Sequence, residues 1–580
     1  MKNYGKIIAI RGNMITVEFE QNVAQNEVGY VLVDDQRLKS EVIRITGNTA
    51  YMQVFEDTKG IKVEDKIEFS KEMISVELGP GLLGQVYDGL QNPLYDLAEE
   101  FGVFLPRGKQ LEALNSEKKW HFLPHEGMEG EKVSAGKPLG YVEEGIFKHF
   151  IFVPFSAKGE LTVEKVAGEG DYRVKEKIAT LKDESGNSIE VTMVATWPVK
   201  VPLSAYTQKF TPHDPLVTKM RILDTFFPVA KGGTYCIPGP FGSGKTVLQQ
   251  LISRYADVDI VIIAACGERA GEVVETLKRF PKLTDPRTGR SLMERTVIVC
   301  NTSSMPVAAR DASVYTAATL GEYYRQMGLD VLLLADSTSR WAQAMREISG
   351  RLEEIPGEEA YPAYLESRIA EFYERAGRVQ LPFGEKGSLT IGGTVSPAGG
   401  NFDEPVTQST LKVVGAFHGL SRDRANARKY PSVDPLQSWS RYRSPLSEDK
   451  VRKARDILTK GDEVNQMMKV VGEEGTSLDD YQIYLKSEFL DAVYLQQNGF
   501  NPVDAATGLE RQKYVFDKIF SILVSNFKFP DKDEARKIFY RLRSLFIDWN
   551  YTEKDSQEYR NQEKEIDKFL ESQEKQEEEQ

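Results

Sequence analysis

The segment Gly239-Pro-Phe-Gly-Ser-Gly-Lys-Thr246 is the most specific indication of fold in this chain. It matches G-x-x-x-x-G-K-[ST], in which glycines let backbone N–H groups turn inward around phosphates. A short apolar strand pattern at residues 233–238 precedes it, and an amphipathic helical pattern at 247–255 follows it. A strand, a glycine-rich loop and the positive end of a helix dipole together form an anion site. The segment therefore predicts a phosphate-binding loop, and a plain surface turn is the less favoured alternative.

The residues of this loop have distinct expected roles. We expect Lys245 to reach the β and γ phosphates of a nucleotide and to have no structural partner otherwise. The Thr246 hydroxyl is expected to ligate Mg²⁺. The predicted nucleotide-binding residues of the loop are Gly239, Pro240, Phe241, Gly242, Ser243, Gly244, Lys245 and Thr246.

Two further apolar strand patterns end in polar residues. Residues 330–336 read Asp-Val-Leu-Leu-Leu-Ala-Asp and deliver Asp336, and residues 260–266 lead into Gly267-Glu268-Arg269. Ligands bind at the carboxyl ends of strands in open parallel sheets. Asp336 is therefore expected to hold Mg²⁺ through its water shell. Glu268 could polarise an attacking water and Arg269 could hold phosphate oxygens, although a surface ion pair at a strand end explains these two residues equally well.

Composition narrows the classes of protein further. The chain has 580 residues, which predicts three to five domains, and 41% of them are apolar. The net charge of −13 makes binding to a nucleic-acid backbone by bulk charge unfavourable. The three cysteines lie in or beside apolar stretches, which indicates buried thiols in a reducing compartment. No window approaches twenty apolar residues, and the first residues lack the pattern of an export signal.

The chain divides into six regions by pattern. Short strands with a hairpin at Gly12-Asn13 predict a small closed barrel, and Val/Ile/Leu-rich strands alternating with helical stretches predict a parallel sheet covered by helices. The tail is dominated by Glu, Gln and Lys, and we expect a frayed or solvated helix there. The predicted regions are an N-terminal β-barrel at 1–70, a connector at 71–109, an inserted β-rich subdomain at 110–190, a nucleotide-binding α/β domain at 200–440, a helical domain at 441–550 and a charged tail at 551–580.

Several motifs together resemble one family. The chain is similar to the catalytic A subunit of V-type and A-type rotary ATPases from about residue 5 to about residue 510. The order of a barrel, an inserted bulge, an α/β domain and helices resembles that family as well. The motifs that carry the resemblance are RILDTFFPV at 221–229, GPFGSGKT at 239–246, CGERAGE at 266–272, LADSTSRWAQAMREIS at 334–349 and LEEIPGEEAYPAYLESRIAEFYERAG at 352–377.

The resemblance implies a RecA-like P-loop fold and a role for each matching residue. Lys245, Glu268 and Arg269 match catalytic positions, Glu268 being the family's water-activating glutamate. Asp336 matches the acid that holds Mg²⁺ with ATP or ADP. Tyr430 and Phe500 match the aromatic walls of the adenine pocket, where stacking would hold a purine. A place in the core of the helical domain stays open as the alternative for Phe500.

The resemblance also implies partners. Three such chains would alternate with three B-type subunits in an A3B3 ring, and the B-type subunit would supply an arginine finger. A central rotor shaft and peripheral stalk subunits would connect the ring to a membrane sector, so that the chain lies at the cytoplasmic face of a membrane and reaches it only through partners. ATP hydrolysis or synthesis would be coupled to transport of H⁺ or Na⁺. The acidic loop at 471–480 is a candidate for the shaft contact, and a solvated loop between helices is its alternative.

Two other functions compete with this interpretation. Another RecA-like hexameric motor, such as a secretion ATPase or a termination helicase, would share the phosphate-binding loop and the glutamate but lack the insert at 110–190. A non-catalytic subunit of the same ring would lose the loop lysine and the glutamate. Lys245 and Glu268 are both present, which disfavours the second alternative.

Overall fold

The computed structural model describes residues 3–102 and 107–578. The predicted regions at 1–70, 71–109 and 551–580 therefore include short pieces, 1–2, 103–106 and 579–580, that lie outside the described residues. Six antiparallel strands form the first part of the chain. Its strands are β1 Asn3–Arg11, β2 Met14–Phe19, β3 Glu27–Val33, β4 Gln36–Thr46, β5 Thr49–Val54 and β6 Lys66–Met73.

These six strands close into a barrel in the order β1-β2-β5-β4-β3-β6. The first hairpin turns at Gly12, whose φ of +62° lies in the left-handed region that glycine adopts without strain. Alternate side chains such as Ile7, Ile15 and Val17 fill the interior of the barrel. The closed barrel predicted from the short alternating strands is confirmed.

The connector leads into an insert built only of strands. β7 Ser75–Leu78, β8 Val86–Tyr87 and α1 Leu94–Phe101 belong to the connector. The insert contains β9 Lys119–Pro124, β10 Lys132–Val133, β11 Pro138–Glu144, β12 Phe147–Phe152, β13 Leu161–Val166, β14 Gly170–Arg173, β15 Ala179–Lys182 and β16 Ser188–Val191. They form two four-stranded antiparallel sheets, in the orders β12-β11-β9-β14 and β10-β13-β15-β16.

The third part alternates strands and helices. Its elements are β17 Ala195–Pro198, β18 Gln208–Phe210, β19 Pro215–Leu216, α2 Arg221–Phe226, β20 Val229–Ala230, β21 Thr234–Pro238, α3 Lys245–Tyr255, β22 Ile260–Glu268, α4 Ala270–Arg279, β23 Thr296–Thr302, α5 Val307–Arg325, β24 Asp330–Asp336, α6 Thr338–Arg351, α7 Leu365–Glu374, β25 Gly377–Gln380, β26 Lys386–Val395, α8 Pro405–Val413, β27 Ala416–Phe417, α9 Arg422–Asn426 and β28 Trp439–Ser440.

Seven strands of this part and of the connector run parallel, in the order β27-β21-β26-β24-β22-β23-β8. The central strand β22 is apolar along nearly its whole length and is covered on both faces, as expected of a parallel sheet. The predicted α/β core with a mostly parallel sheet is confirmed. Cys236, Cys266 and Cys300 are free thiols buried in this core.

Helices form the C-terminal part: α10 Glu448–Val471, α11 Leu478–Leu490, α12 Leu509–Val524, α13 Lys532–Tyr551 and α14 Gln557–Glu578. The expectation that the charged tail is a frayed or solvated helix is wrong for α14. Tyr559 and Ile566 are buried, and Tyr559 stacks on Trp549 with ring centroids 5.0 Å apart. Lys518 of α12 adds ion pairs to Glu563 and Asp567, so a narrow apolar stripe with flanking charges is enough to dock the helix. Across residues 3–102 and 107–578, the helices lack the combination of length and apolar character that crossing a bilayer requires.

A buried ion pair fastens the segment that returns from the insert to the parallel sheet. Glu322 of α5 accepts from Arg375 at 2.5 and 3.0 Å and from the Leu203 N–H at 2.9 Å, and both charged side chains are fully buried. We expect Glu322→Ala to lower the free energy of unfolding by about 3–5 kcal/mol, because it leaves the Arg375 charge buried without its opposite charge. Thermal and urea unfolding measure this loss.

The matched control is Glu366→Ala, which removes an exposed ion pair to Lys412 on neighbouring helices. Exposed pairs contribute about 0–1 kcal/mol, so this variant should unfold nearly as the unmodified chain does. Equal stabilities for the two variants would contradict the structural role of the buried pair.

Candidate active site

Four parallel strands end at one edge of the sheet and place the predicted residues there. In register, Pro238 of β21 pairs with Val395 of β26, and Ala265 of β22 pairs with Asp336 of β24. The phosphate-binding loop after β21, Asp336 at the end of β24 and Glu268 at the end of β22 therefore emerge side by side. Parallel pairing is the physical reason that three motifs far apart in sequence meet at one edge.

The loop itself needs its glycines. Gly242 and Gly244 have φ of +80° and +90°, in the left-handed region that other residues adopt only with strain. A Cβ on Gly239 would lie 2.6 Å from the Ser243 hydroxyl. Helix α3 begins at Lys245 and has no side-chain cap, so its first N–H groups remain available to an anion.

Lys245 makes two protein contacts. Its ammonium donates to the Gly239 carbonyl and to the Ser396 hydroxyl, each at 2.7 Å. The expectation that Lys245 has no structural partner is therefore wrong. Burial lowers the pKa of Lys245, and the carboxylates of Asp336 and Glu268 oppose that shift. These two hydrogen bonds fix the position of the ammonium beside the phosphate-binding loop.

Acidic side chains face the lysine. Burial and the nearby Glu268 charge raise the pKa of Asp336 to about 6, although its Oδ1 accepts from the Thr394 hydroxyl at 2.5 Å. The Glu272 carboxyl is hydrogen-bonded to Glu268, and this bond, with desolvation and the Glu268 charge, raises the pKa of Glu272 to about 7. The site thus concentrates negative charge that a metal cation or a proton would relieve.

Arg269 lies over an aromatic ring of the phosphate-binding loop. Its guanidinium carbon is 5.1 Å from the centroid of the exposed Phe241 ring. The alternative of an ion pair between Glu268 and Arg269 finds no support in the described residues, since Glu268 is engaged by Glu272. Arg269 is therefore held at the edge of the cavity by its ring contact.

The two predicted aromatic walls belong to segments that are bonded to each other. The Gln497 N–H donates to the Tyr430 carbonyl at 2.8 Å, and Gln497 lies three residues before Phe500. The Ser432 hydroxyl donates to the Ser243 carbonyl at 2.5 Å and ties this segment to the phosphate-binding loop. Phe500 is 83% exposed, so the alternative that it lies in the core of the helical domain is wrong.

One cavity of about 1100 Å³ unites these residues. Every predicted site residue except Gly239 lines this cavity. The Gly239 carbonyl accepts a hydrogen bond from Lys245, which does line it. Its lining includes Pro240, Phe241, Gly242, Ser243, Gly244, Lys245, Thr246, Glu268, Arg269, Asp336, Tyr430 and Phe500. A volume of this size accommodates a nucleotide.

Sequence reasoning missed other residues of the cavity. Ser396 follows the end of β26, and the apolar run before it was a signal that could have found it. Arg340 of α6 and four residues of α13 also line the cavity. No motif marks the α13 residues, because their helix reaches the cavity only through tertiary packing.

Comparisons with protein-family models match four parts of the chain. Residues 219–440 match the nucleotide-binding domain of the ATP synthase alpha/beta family, and residues 7–71 match its beta-barrel domain. Residues 111–200 match the barrel-sandwich domain of ATP synthase alpha/beta subunits, and residues 448–529 match the C-terminal domain of V and A type ATP synthases. The matches follow the structural parts described above.

Among solved structures, the assembled ATPase EscN of the type III secretion system of enteropathogenic E. coli has a similar fold. Its TM-score is 0.61 at 20% identity, with 89% of this chain and 100% of that chain covered.

Curated relatives are far more similar. The V-type ATP synthase alpha chain of Treponema denticola is 63% identical over 98% of this chain and 96% of its own length. The V-type ATP synthase alpha chain of Borreliella burgdorferi is 61% identical over 95% of this chain and 96% of its own length. With such identity along almost its whole length, this chain belongs to the V-type ATP synthase alpha chains of the ATP synthase alpha/beta family.

Proposed function

We propose that this chain is the subunit in which ATP is hydrolysed and formed in a rotary V/A-type ATPase, coupled through partner subunits to transport of H⁺ or Na⁺. The observation that carries the proposal is the meeting of Lys245, Glu268 and Asp336 in one cavity at the carboxyl edge of a parallel sheet. Membership of the V-type ATP synthase alpha chains supports it. The alternative of a secretion ATPase or helicase rests only on a shared fold and is not favoured.

The phosphates of ATP would lie in the loop 239–246. Its N–H groups and the uncapped start of α3 bind phosphate oxygens, and Lys245 neutralises the β and γ phosphates. Its bonds to Gly239 and Ser396 hold the ammonium in place before the nucleotide enters. Tyr430 and Phe500 provide exposed ring faces for the base.

Thr246 and Asp336 have side chains suited to Mg²⁺. Both residues line the cavity, and oxygen donors are those that Mg²⁺ prefers. Burial and then the nearby Glu268 charge raise the pKa of Asp336, and a divalent cation would relieve both effects by neutralising its charge. When bound with ATP, Mg²⁺ would neutralise charge that develops on the β and γ oxygens.

We assign water activation to Glu268. Its carboxylate lies at the end of β22 and lines the cavity, where its charge acts on Asp336 of the neighbouring strand β24. Glu272 is hydrogen-bonded to Glu268, and its pKa of about 7 lets it carry the proton of that bond near neutral pH. Because the transfer of the γ phosphoryl group is reversible, the same residues serve ATP formation.

The site is proposed to be completed by a neighbouring B-type subunit in an alternating A3B3 ring at the cytoplasmic face of a membrane. An arginine finger from that subunit would neutralise charge on the γ phosphate. A rotor shaft and peripheral stalk subunits would link the ring to the membrane sector. We assign the shaft contact to the segment 471–480, which joins the end of α10 to the start of α11, since Val470 beside it is 85% exposed.

The experiment that tests this function is Glu268→Gln in the assembled ring. Gln keeps the shape of the side chain and removes its charge, so stabilisation of the transition state is lost while the nucleotide still binds. We expect kcat of ATP hydrolysis to fall at least about a hundredfold, within the usual contribution of general-base catalysis. Affinity for Mg-ATP should change little or increase, because a negative charge near the γ phosphate is removed.

Glu272→Gln is the matched control. The pKa of Glu272 is raised to about 7, so near neutral pH Gln resembles its protonated form, and the rate should fall by less than about tenfold. If Glu268→Gln instead weakened ATP binding and left kcat near normal, Glu268 would be a structural residue of the strand end. Glu272 would then be the next candidate for water activation.

A further inference from the structure

One wall of the cavity is formed by helix α13, which lies outside the family-model match at 448–529. The four lining residues of this helix are Arg543, Ile547, Asn550 and Tyr551. At 100° per residue these positions fall within an arc of roughly 100°, so they belong to one face of the helix. The face is continuous over two turns and is turned towards the nucleotide cavity.

The C-terminal end of α13 is held firmly. Arg511 of α12 donates to the carbonyls of Trp549, Asn550 and Thr552 at 2.9 to 3.1 Å. Trp549 is fully buried and is stacked on Tyr559 of α14. The Asn550 amide donates to the Val493 carbonyl at 2.7 Å. The face is therefore a rigid wall, as a binding surface requires.

Tyr551 lies at the aromatic end of the cavity. The side-chain NH₂ of Asn498 donates to the Tyr551 hydroxyl at 3.4 Å. The side-chain oxygen of Asn498 accepts from the Phe500 N–H at 3.0 Å. One asparagine thus links Tyr551 to the loop that carries Phe500. Tyr551 lines the cavity and keeps 41% of its surface exposed, so a large part of the residue is available for contact with a ligand.

We propose that α13 supplies a third wall of the purine end of the nucleotide site, in which the Tyr551 ring contacts the base. The inference rests on the proposed function, since it takes the cavity to bind ATP. Exposed aromatic faces bind nucleobases without demanding a hydrogen-bond pattern. With Tyr430 and Phe500, the ring of Tyr551 would give the base a third aromatic contact.

The test compares a ligand with a base and one without, in the full-length chain. Isothermal titration calorimetry measures the Kd of Mg-ATP and of magnesium tripolyphosphate, which carries the phosphates alone. We expect Tyr551→Ala to weaken Mg-ATP binding about fivefold or more, the loss of one base–aromatic contact. Binding of tripolyphosphate should stay within about twofold of the unmodified chain.

Two variants sharpen the test. Tyr551→Phe keeps the ring and should retain the affinity for Mg-ATP, whereas Tyr540→Ala removes a tyrosine that is 61% exposed on the same helix but does not line the cavity. That control should leave both affinities unchanged, and the melting temperature of every variant should match that of the unmodified chain.

Three results would overturn the assignment of Tyr551. These are unchanged Mg-ATP affinity in Tyr551→Ala, an equal loss for both ligands, and a loss in Tyr551→Phe as large as that in Tyr551→Ala. The last two indicate a structural role or a role of the hydroxyl bond to Asn498 alone. If the unmodified chain binds Mg-ATP no more tightly than tripolyphosphate, or binds neither ligand, the proposed function itself fails. The failure then does not concern Tyr551 alone.

Discussion

Lys245→Ala should abolish detectable ATP turnover in the assembled ring and also weaken nucleotide binding. The ammonium lies in the cavity between Gly239 and Ser396, where it would contact phosphates in both the ground state and the transition state. A lost contact of that kind lowers both affinity and rate, which distinguishes this variant from Glu268→Gln. Steady-state ATPase assays and calorimetric titration with Mg-ATP measure the two effects.

The chain should still fold. Lys245 is only half-buried, and its two hydrogen bonds are to a loop carbonyl, that of Gly239, and to the Ser396 hydroxyl, which lines the cavity. Lys278→Ala is the matched control, because Lys278 is an exposed lysine of the nearby helix α4 that does not line the cavity. Turnover of Lys245→Ala within threefold of the unmodified enzyme would remove the phosphate-binding loop as the working site.

The second large effect concerns the partner subunit. We expect the purified chain to bind Mg-ATP but to hydrolyse it slowly, and addition of the B-type subunit to raise kcat about 10³-fold or more, as arginine fingers supplied in trans do. Among the seven arginines of this chain that line the cavity, Arg269 contacts the Phe241 ring and Arg340 donates to Gln343 at 3.2 Å. Single-turnover hydrolysis with and without the partner measures the increase.

A ring assembled from the partner and the Lys245→Ala chain provides the control for this experiment. It should show none of the increase, which excludes hydrolysis by the partner itself. A lone chain with the full rate of the ring would contradict a site shared between subunits. Loss of the increase on dilution, as the ring dissociates, would support the shared site.

Local sequence patterns were enough to predict the chemistry near the phosphates. The glycines of the loop, the apolar run that ends at Asp336 and the run that ends before Glu268 are contiguous signals. Parallel strands bring their carboxyl ends to one edge of the sheet whatever the details of packing. The sequence was therefore enough to predict that these residues lie close together. The closed barrel followed in the same way from short strands with period two.

Contacts between distant segments could not be predicted in this way. The bonds of Lys245 to Ser396 and of Asn498 to Tyr551 depend on how β26 and α13 pack, and no local pattern encodes those distances. The docking of α14 was also not predicted, because Tyr559 and Ile566 are too few to form a periodic apolar face. Contact with Trp549 and the ion pairs of Lys518 stabilise the docked helix, and both come from other helices.

The fold class, the phosphate-binding loop and the acidic strand ends followed from the sequence alone, since each is a local pattern of backbone freedom and burial. The tertiary structure decided the partners of Lys245, the exposure of Phe500 and the α13 wall, because each depends on the free energy of packing between segments far apart in the chain.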